Sequence, residues 1–246
     1  MARHDLVFLV DVDNTLVDND HVTADLRRHL IAEVGRRRQQ RYWELFEELR
    51  KELGYADYLG ALQRYRMENP REHLLTVPLF LIDYPFANRL FPNSLDVIEH
   101  LKSWGPVVIL TDGDAVFQPR KIERSGLLTA VDRNVLIYVH KEQELEDVER
   151  RYPAKHYVLI DDKLRILDAI KRVWGGRVTT VFPRQGHYAH DPSIAQYPPA
   201  DVTVDYIGQL LQYDVARLRA AAQSPSGSRR TRARASAKRT VRRRLS

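Results

Sequence analysis

The composition is that of an ordinary folded protein, because 43% of the 246 residues are hydrophobic and 9% are aromatic. These values favour one main domain with a buried core. No apolar run approaches the ~20 residues that span a bilayer, and no segment has a signal-peptide pattern, so we expect no membrane span. The absence of cysteine excludes disulfides, thiolate metal sites and thiol nucleophiles, and it suits a location in the reducing cytoplasm. Any metal must be held by oxygen or imidazole ligands.

Positive charge is concentrated at the C-terminus. Of the 39 Lys and Arg residues, nine lie within residues 224–246, which contain no acidic residue, and the remaining 30 are outnumbered by 33 acidic residues. This tail lacks apolar periodicity, so we expect it to be disordered. It can make weak, non-specific contacts with nucleic acid or anionic lipid, or it is only a solubilising end. Without aromatic residues, it has no platform for base stacking.

The first predicted elements are a strand and a helical insertion. Residues 6–10 form a continuous apolar run, which is typical of a strand buried on both faces. From about Thr23 to Met67 the apolar residues recur at helical spacing, with breaks expected at Gly35 and Gly54. We therefore predict a helical insertion over residues 18–93, directly after the first strand.

After the insertion, strands and helices alternate. The predicted strands are 107–110, 135–139, 157–160 and 178–182, and the helices between them lie at about 94–103, 116–125, 142–150 and 164–173. This order favours right-handed βαβ crossovers and a doubly wound parallel sheet of the α/β class. A last strand at 202–204 and a helix from about Ile207 to Ala221 complete the predicted core, which comprises residues 1–17 and 94–221.

Polar residues suited to phosphate chemistry follow four of these strands. The carboxyl ends of parallel strands share one edge of a sheet, where such folds bind their ligands. We therefore expect the residues to converge although they are scattered in sequence. The strand ends in question are Asp11-Val12-Asp13-Asn14-Thr15-Leu16, Thr111-Asp112-Gly113-Asp114, His140-Lys141 and Asp161-Asp162.

The residue types suggest how a phosphate monoester would be cleaved, a reaction that needs charge neutralisation, a nucleophile and a proton donor. The Asp11 carboxylate can attack phosphorus and form an aspartyl-phosphate. Asp13 can protonate the leaving alkoxide and later take a proton from water. Oxygen ligands for Mg²⁺ can come from Asp11 with Asp161 and Asp162.

Two further strand-end residues complete the predicted catalytic set. Lys141 supplies a fixed positive charge, and the Thr111 hydroxyl can donate to a phosphoryl oxygen. Lys121 is a rival for the role of Lys141. We prefer Lys141 because it directly follows a strand, whereas Lys121 lies inside a predicted helix.

A buried strand followed by Asp-x-Asp-x-Thr-Leu resembles the leading motif of the haloacid dehalogenase (HAD) superfamily. The later motifs follow in the family's order: Leu110-Thr111-Asp112-Gly113 resembles the second, Lys141 the third and Ile160-Asp161-Asp162 the fourth. The resemblance covers roughly residues 5–215. It implies a Rossmann-like core, with residues 18–93 as a helical cap that closes over the site. It also implies Mg²⁺ bound by Asp11, by the backbone carbonyl of Asp13, and by one or both of Asp161 and Asp162.

The chain departs from the family pattern at two motifs. Asn14 stands where the family often has glycine. In the fourth motif the two acids are adjacent, and Asp168 follows nearby, so the identity of the metal ligands stays open. Dehalogenase members lack the second aspartate of the first motif. The presence of Asp13 therefore favours phosphoryl transfer over carbon–halogen cleavage.

Several residues invite functional interpretations that we weigh against simpler ones. Asp112 and Asp114 are expected to shape the turn around Gly113, and His187 and His190 to lie on the surface. The cap aromatics are expected mainly to pack, with some facing the site; they are Tyr42, Trp43, Tyr55, Tyr58 and Tyr65. Three cap arginines are candidates to face it too: Arg41, Arg64 and Arg66.

The resulting prediction is a Mg²⁺-dependent phosphatase acting on a small phosphorylated substrate. A phosphomutase would use the same residues but return the phosphoryl group to its product. A non-catalytic binding protein that docks on nucleic acid through its tail is the alternative outside enzymes, and the intact set of motif residues counts against it. The sequence predicts neither the substrate's identity nor the oligomeric state.

Overall fold

The computed structural model describes residues 3–71 and 74–223. The predicted disordered tail, residues 224–246, lies outside the described residues. The strands are β1 His4–Val10, β2 Val107–Asp112, β3 Val135–Tyr138, β4 Ala154–Ile160, β5 Val178–Pro183 and β6 Val202–Val204. The α-helices are α1 Asn19–Val34, α2 Arg36–Leu53, α3 Tyr58–Glu68, α4 Thr76–Asp83, α5 Ser94–Lys102, α6 Phe117–Arg124, α7 Leu127–Ala130, α8 Leu145–Arg151, α9 Leu164–Trp174 and α10 Val215–Gln223.

The six strands form one parallel sheet in the order β3-β2-β1-β4-β5-β6. Strand β1 is central, and its alternate residues enter different hydrophobic clusters: Phe8 and Val10 pack on one face, and Val7 and Leu9 on the other. Helices cover both faces, which explains why β1 is a continuous apolar run rather than an alternating one. The predicted doubly wound α/β fold is confirmed.

Among the described residues, helices α1 to α5 lie between β1 and β2, and α1 to α4 fall within residues 18–93, the predicted insertion. Helix α1 starts earlier than its apolar pattern, because the Asp18 carboxylate accepts a hydrogen bond from the backbone N–H of His21 and caps the helix. Helix α2 ends at Gly54, whose φ of 80° is the left-handed conformation that terminates many helices. Both glycine breaks fall where the sequence predicts them. The division into a core and a cap over 18–93 stays a prediction.

The predicted C-terminal helix over Ile207–Ala221 is wrong in one respect. The structure has a 3-10 helix at Ile207–Gln212, then an extended residue, Tyr213, and then α10. The Asp214 carboxylate accepts a hydrogen bond from the backbone N–H of Arg217 at 2.7 Å. This aspartate acts as an N-terminal cap, which begins a new helix instead of continuing the old one. Across residues 3–71 and 74–223, the structure has no helix long and apolar enough to span a membrane.

Candidate active site

The loop after β1 holds Asp11 at the carboxyl edge of the sheet. Asp11 is only 2% exposed, and its Oδ2 accepts a hydrogen bond from the Thr15 hydroxyl at 3.3 Å. Asn14 adopts φ 58° in this loop, a left-handed conformation that asparagine tolerates better than most residues. Asparagine is therefore compatible with the backbone at the position where the family often has glycine.

Three buried carboxylates form a compact cluster, with one oxygen each from Asp11, Asp161 and Asp162 within 4.8 Å of one another. Neither carboxylate oxygen of Asp162 has a hydrogen-bond partner among the described residues. Burial raises the pKa of Asp161 to about 6 and that of Asp162 well above its usual value. An unpartnered, buried carboxylate is costly unless a cation compensates it. The donor set, three acidic side chains with only oxygen ligands, fits Mg²⁺.

Lys141 lies beside this cluster. Its ammonium is fully buried and lies 2.6 Å from Asp11 Oδ1 and 2.6 Å from Asp161 Oδ2. Burial alone would lower the pKa of Lys141, but the attraction of the two carboxylates raises it above its usual value. Conversely, burial raises the pKa of Asp11 while Lys141 and Lys163 lower it, and the net shift is downward. This downward shift favours the ionised form of Asp11.

Asp13 faces a different lysine. The ammonium of Lys121, on α6, lies 2.5 Å from Asp13 Oδ1 and also donates to Asn19 Oδ1 at 3.1 Å. Lys121 is 1% exposed. The two lysines that the sequence presents as rivals are thus both in the site, Lys141 at the first aspartate and Lys121 at the second. Metal binding by the backbone carbonyl of Asp13 stays a prediction.

Thr111 ends β2 at the same sheet edge and is buried. Its hydroxyl oxygen accepts a hydrogen bond from the Gln118 side-chain amide at 3.0 Å, a partner that sequence reasoning missed. Asp112 Oδ1 accepts from the backbone N–H of Lys141 at 2.8 Å. Asp114 Oδ1 accepts from the backbone N–H groups at the start of α6, which fits its expected role in the turn.

A cavity of about 280 Å³ separates this edge from the cap helices. The clustered carboxylates do not line it; Asp13, Asp112 and Lys163 do. The cavity is therefore lined by residues next to the buried cluster: Asp13 and Lys163 are close to its members in sequence, and Asp112 is hydrogen-bonded to the backbone of Lys141. Other lining residues come from the cap, from α6, from the start of α9 and from the segment after β5: Arg50, Gly54, Tyr55, Ala56, Tyr58, Gly113, Phe117, Gln118, Lys121, Leu164, Arg165, Tyr188, Asp191, Ser193, Ile194 and Tyr197.

The cap arginine that reaches this cavity is Arg50, which the sequence did not single out. Two proposed candidates are engaged elsewhere: Arg41 pairs with Glu68, and Arg64 with Glu52. The third, Arg66, donates to Gln63 on its own helix. Arginine is frequent in the cap segment and no motif surrounds Arg50, so no sequence signal marks it.

Other candidates also have definite positions. Among the cap aromatics, Tyr42, Trp43, Tyr58 and Tyr65 are buried, and Tyr58 also lines the cavity with Tyr55. Asp168 pairs with Arg172 at 2.6 Å and is not part of the carboxylate cluster.

Of the two histidines after β5, His187 has a specific contact. Its Nδ1 lies 2.6 Å from Asp20 Oδ1, and its backbone N–H donates to Asp20 Oδ2 at 2.7 Å. His190 is exposed. His187 therefore joins the segment after β5 to the start of α1, a contact that the surface interpretation did not foresee.

The chain is similar to haloacid dehalogenase-like hydrolases in both sequence and structure. A family model for haloacid dehalogenase-like hydrolases matches residues 6–173. A solved structure of a haloacid dehalogenase-like hydrolase from Burkholderia xenovorans LB400 is 63% identical, with a TM-score of 0.84, and the match covers 86% of this chain and 100% of that one. No curated protein matches the sequence.

More distant solved structures share the fold alone. The HAD-hydrolase YfnB from Bacillus subtilis, bound to magnesium, is 16% identical with a TM-score of 0.59, covering 86% of this chain and 98% of that one. L-2-haloacid dehalogenase from Xanthobacter autotrophicus is 17% identical with a TM-score of 0.56, covering 84% and 96%. The family model and the 63% identical structure, together with the motif residues at the sheet edge, show that this chain belongs to the haloacid dehalogenase-like hydrolases.

Proposed function

We propose that this hydrolase is a Mg²⁺-dependent phosphatase that cleaves a small phosphate monoester through an aspartyl-phosphate on Asp11. The observation that carries the proposal is the placement of Asp13: its carboxylate lines the cavity next to the buried nucleophile and is held there by Lys121. An alkoxide leaving group requires a proton, whereas a halide leaves without one. A dehalogenase would have no use for this second carboxylate.

The first half of the reaction transfers the phosphoryl group. An Asp11 carboxylate oxygen attacks phosphorus, the bond from phosphorus to the ester oxygen breaks, and Asp13 gives its proton to the departing oxygen. Lys141, 2.6 Å from Asp11, holds the attacking carboxylate in place. Bound Mg²⁺, held by Asp11, Asp161 and Asp162, would neutralise charge between the carboxylates and the phosphate.

The second half returns Asp11 to its starting state. Asp13, now ionised, removes a proton from a water molecule, and the resulting oxygen attacks phosphorus. The bond between phosphorus and Asp11 breaks, and inorganic phosphate leaves. Because Asp11 is almost fully buried, the reaction proceeds away from bulk water.

The Asp13→Asn variant tests both halves of the reaction when its rates are compared for esters with different leaving groups. With p-nitrophenyl phosphate the leaving phenolate needs no proton, so we expect the variant to release about one equivalent of nitrophenolate in a burst and then stall. With an alkyl phosphate the burst itself should be slowed about 10²- to 10⁴-fold, the usual range for general acid–base catalysis. Asp11→Asn should show no burst with either ester, and Asp168→Asn should behave like the wild type.

Reaction class is settled by the products formed with Mg²⁺ and with excess chelator. Mg²⁺-dependent release of inorganic phosphate from an ester panel is expected. Halide release from 2-chloropropionate without phosphate release from any ester would refute the proposal. Conversion of a sugar phosphate to its isomer without free phosphate would point instead to a mutase.

A further inference from the structure

Arg50 and Tyr188 meet at the cap side of the cavity. The Arg50 guanidinium, on α2, donates a hydrogen bond to the Tyr188 hydroxyl, in the segment after β5. Its only carboxylate contact among the described residues is with Glu47 of the same helix, at 3.5 Å. Arg64, on the cap surface, pairs with a carboxylate at 2.7 Å instead. Arg50 is thus a cavity cation that is held mainly by a neutral hydroxyl.

The other charged groups of the cavity wall are mostly engaged. Lys121 pairs with Asp13, and Arg165 pairs with Glu142 at 2.6 Å. Asp112 and Asp191 each accept a hydrogen bond from a backbone N–H group. Lys163 has no ion-pair partner within residues 3–71 and 74–223. Two cavity cations, Arg50 and Lys163, are therefore available to an anionic ligand.

Tyr188 lies between these two cations. The Lys163 ammonium is 5.2 Å from the centre of the Tyr188 ring, a cation–π distance, while the hydroxyl of the same ring holds Arg50. Lys163 directly follows Asp161 and Asp162 in the sequence and lines the cavity, so it lies at the carboxylate cluster, where the phosphoryl group would react. Arg50, on the cap, remains for a different part of the ligand.

We propose that the substrate carries a second anionic group, a carboxylate or another phosphate, which binds to Arg50 and Tyr188 while the reacting phosphoryl group lies near Lys163. This inference rests on the proposed phosphatase function. The Tyr188 hydroxyl accepts from Arg50, so its own hydrogen is free to donate to the anion. The apolar wall formed by Tyr55, Tyr58 and Phe117 suits a short carbon segment between the two anionic groups.

The size of the cavity limits this segment. The volume of about 280 Å³ is just below the range for small-molecule sites, roughly 300–1,000 Å³. Both anionic groups must therefore be a few atoms apart. The ligand class is a short phosphate ester with an acidic group at its other end.

Binding of phosphonates tests the second anion site without turnover, because their carbon–phosphorus bond is not hydrolysed by this chemistry. Phosphonoacetate is compared with methylphosphonate by calorimetry in excess Mg²⁺. Propane-1,3-bisphosphonate is likewise compared with propylphosphonate, to separate a carboxylate from a second phosphate. In at least one pair we expect the wild type to bind the doubly acidic member about 10- to 100-fold more tightly than the singly acidic one. This is the affinity difference that corresponds to the free energy of hydrogen bonds to a charged group.

The variants Arg50→Met and Tyr188→Phe should reduce this preference, the first to less than about threefold. Arg64→Met, on the cap surface, is the matched control and should keep the wild-type preference. Equal binding of both members in each pair by the wild type, or an equal loss in Arg50→Met and Arg64→Met, would overturn the second anion site. Phosphate release is measured separately. If the protein releases phosphate but shows no binding preference, the phosphatase proposal stands and the second anion site is rejected. If it shows the binding preference but releases no phosphate, only the phosphatase proposal is rejected.

Discussion

Replacing Asp162 with asparagine should stabilise the metal-free protein, although the residue is fully buried in the centre of the site. Its carboxylate lies within 4.8 Å of those of Asp11 and Asp161, and its oxygens have no hydrogen-bond partner among the described residues. If all three groups were ionised, each pair of charges at that separation would repel by about 3.5 kcal/mol at an effective dielectric constant near 20. Burial raises the pKa of Asp162 well above its usual value, so folding without metal must either bear this repulsion or protonate the group, and both cost free energy. Attraction to Lys163 offsets part of this repulsion. Asparagine keeps the shape and removes the charge, so we expect a gain of about 1–3 kcal/mol.

The assay is thermal unfolding in chelator and in Mg²⁺. In chelator, the Asp162→Asn variant should melt roughly 2–12 °C above the wild type, since 1 kcal/mol corresponds to about 2–4 °C for a chain of this size. In Mg²⁺ the order should reverse, because a bound cation stabilises only the protein that can hold it. Asp168→Asn, outside the cluster, should leave the Mg²⁺ response intact. A variant that melts lower in chelator, or that keeps the full Mg²⁺ response, would refute the electrostatic reasoning.

Three other substitutions test neighbouring contacts. Lys121→Met should lower the free energy of unfolding, measured in urea, by about 1.5–3 kcal/mol, the range for hydrogen bonds to charged groups. It should also lower kcat at least tenfold, because Asp13 loses the ammonium partner that lies 2.5 Å away. An unchanged kcat would contradict this. Gly54→Ala should lower stability by about 1–2 kcal/mol in the same assay, since its φ is 80°, and no loss would contradict the left-handed turn. Burial raises the pKa of Asp20, but hydrogen bonds from His187 outweigh it and the net shift is downward. Because the folded-state pKa is the lower one, the stabilisation is present above about pH 4 and is lost as pH falls through that lowered pKa. Asp20→Asn should cost up to about 1 kcal/mol at pH 7 and progressively less as pH falls below 4, and a loss independent of pH would contradict it.

The succession of strands and helices along the chain and the placement of the acidic motifs could be predicted because they depend on local patterns. A continuous apolar run such as Leu6–Val10 requires burial on both faces, and parallel strands bring their carboxyl ends to one edge. Asp11, Thr111 and Lys141 could therefore be assigned to one site although about a hundred residues separate the first two. The same reasoning predicted the helical segment after β1.

The cavity wall could not be predicted, because it depends on which side of each helix faces the sheet edge. The sequence presents Lys121 only as the less favoured rival of Lys141, because it lies inside a predicted helix, yet it is 1% exposed and ion-paired with Asp13. Arg50 and Tyr188 meet although 138 positions separate them, and neither belongs to a motif. A signal does exist for Lys163, which directly follows the acidic pair, and sequence reasoning overlooked it.

The segment after β5 links the cap to the loop that carries Asp11. The Gln185 side-chain amide donates to the backbone carbonyls of Asn14 and Thr15 at 3.1 and 2.7 Å. At Gly186 a Cβ atom would lie 2.5 Å from the Cβ of Asn14, so glycine permits this close approach. Two residues further on, Tyr188 accepts the hydrogen bond from Arg50 on the cap. An anion bound at Arg50 would thus contact a segment that is hydrogen-bonded to the loop carrying Asp11, which gives the cap a direct structural route to the carboxylate cluster.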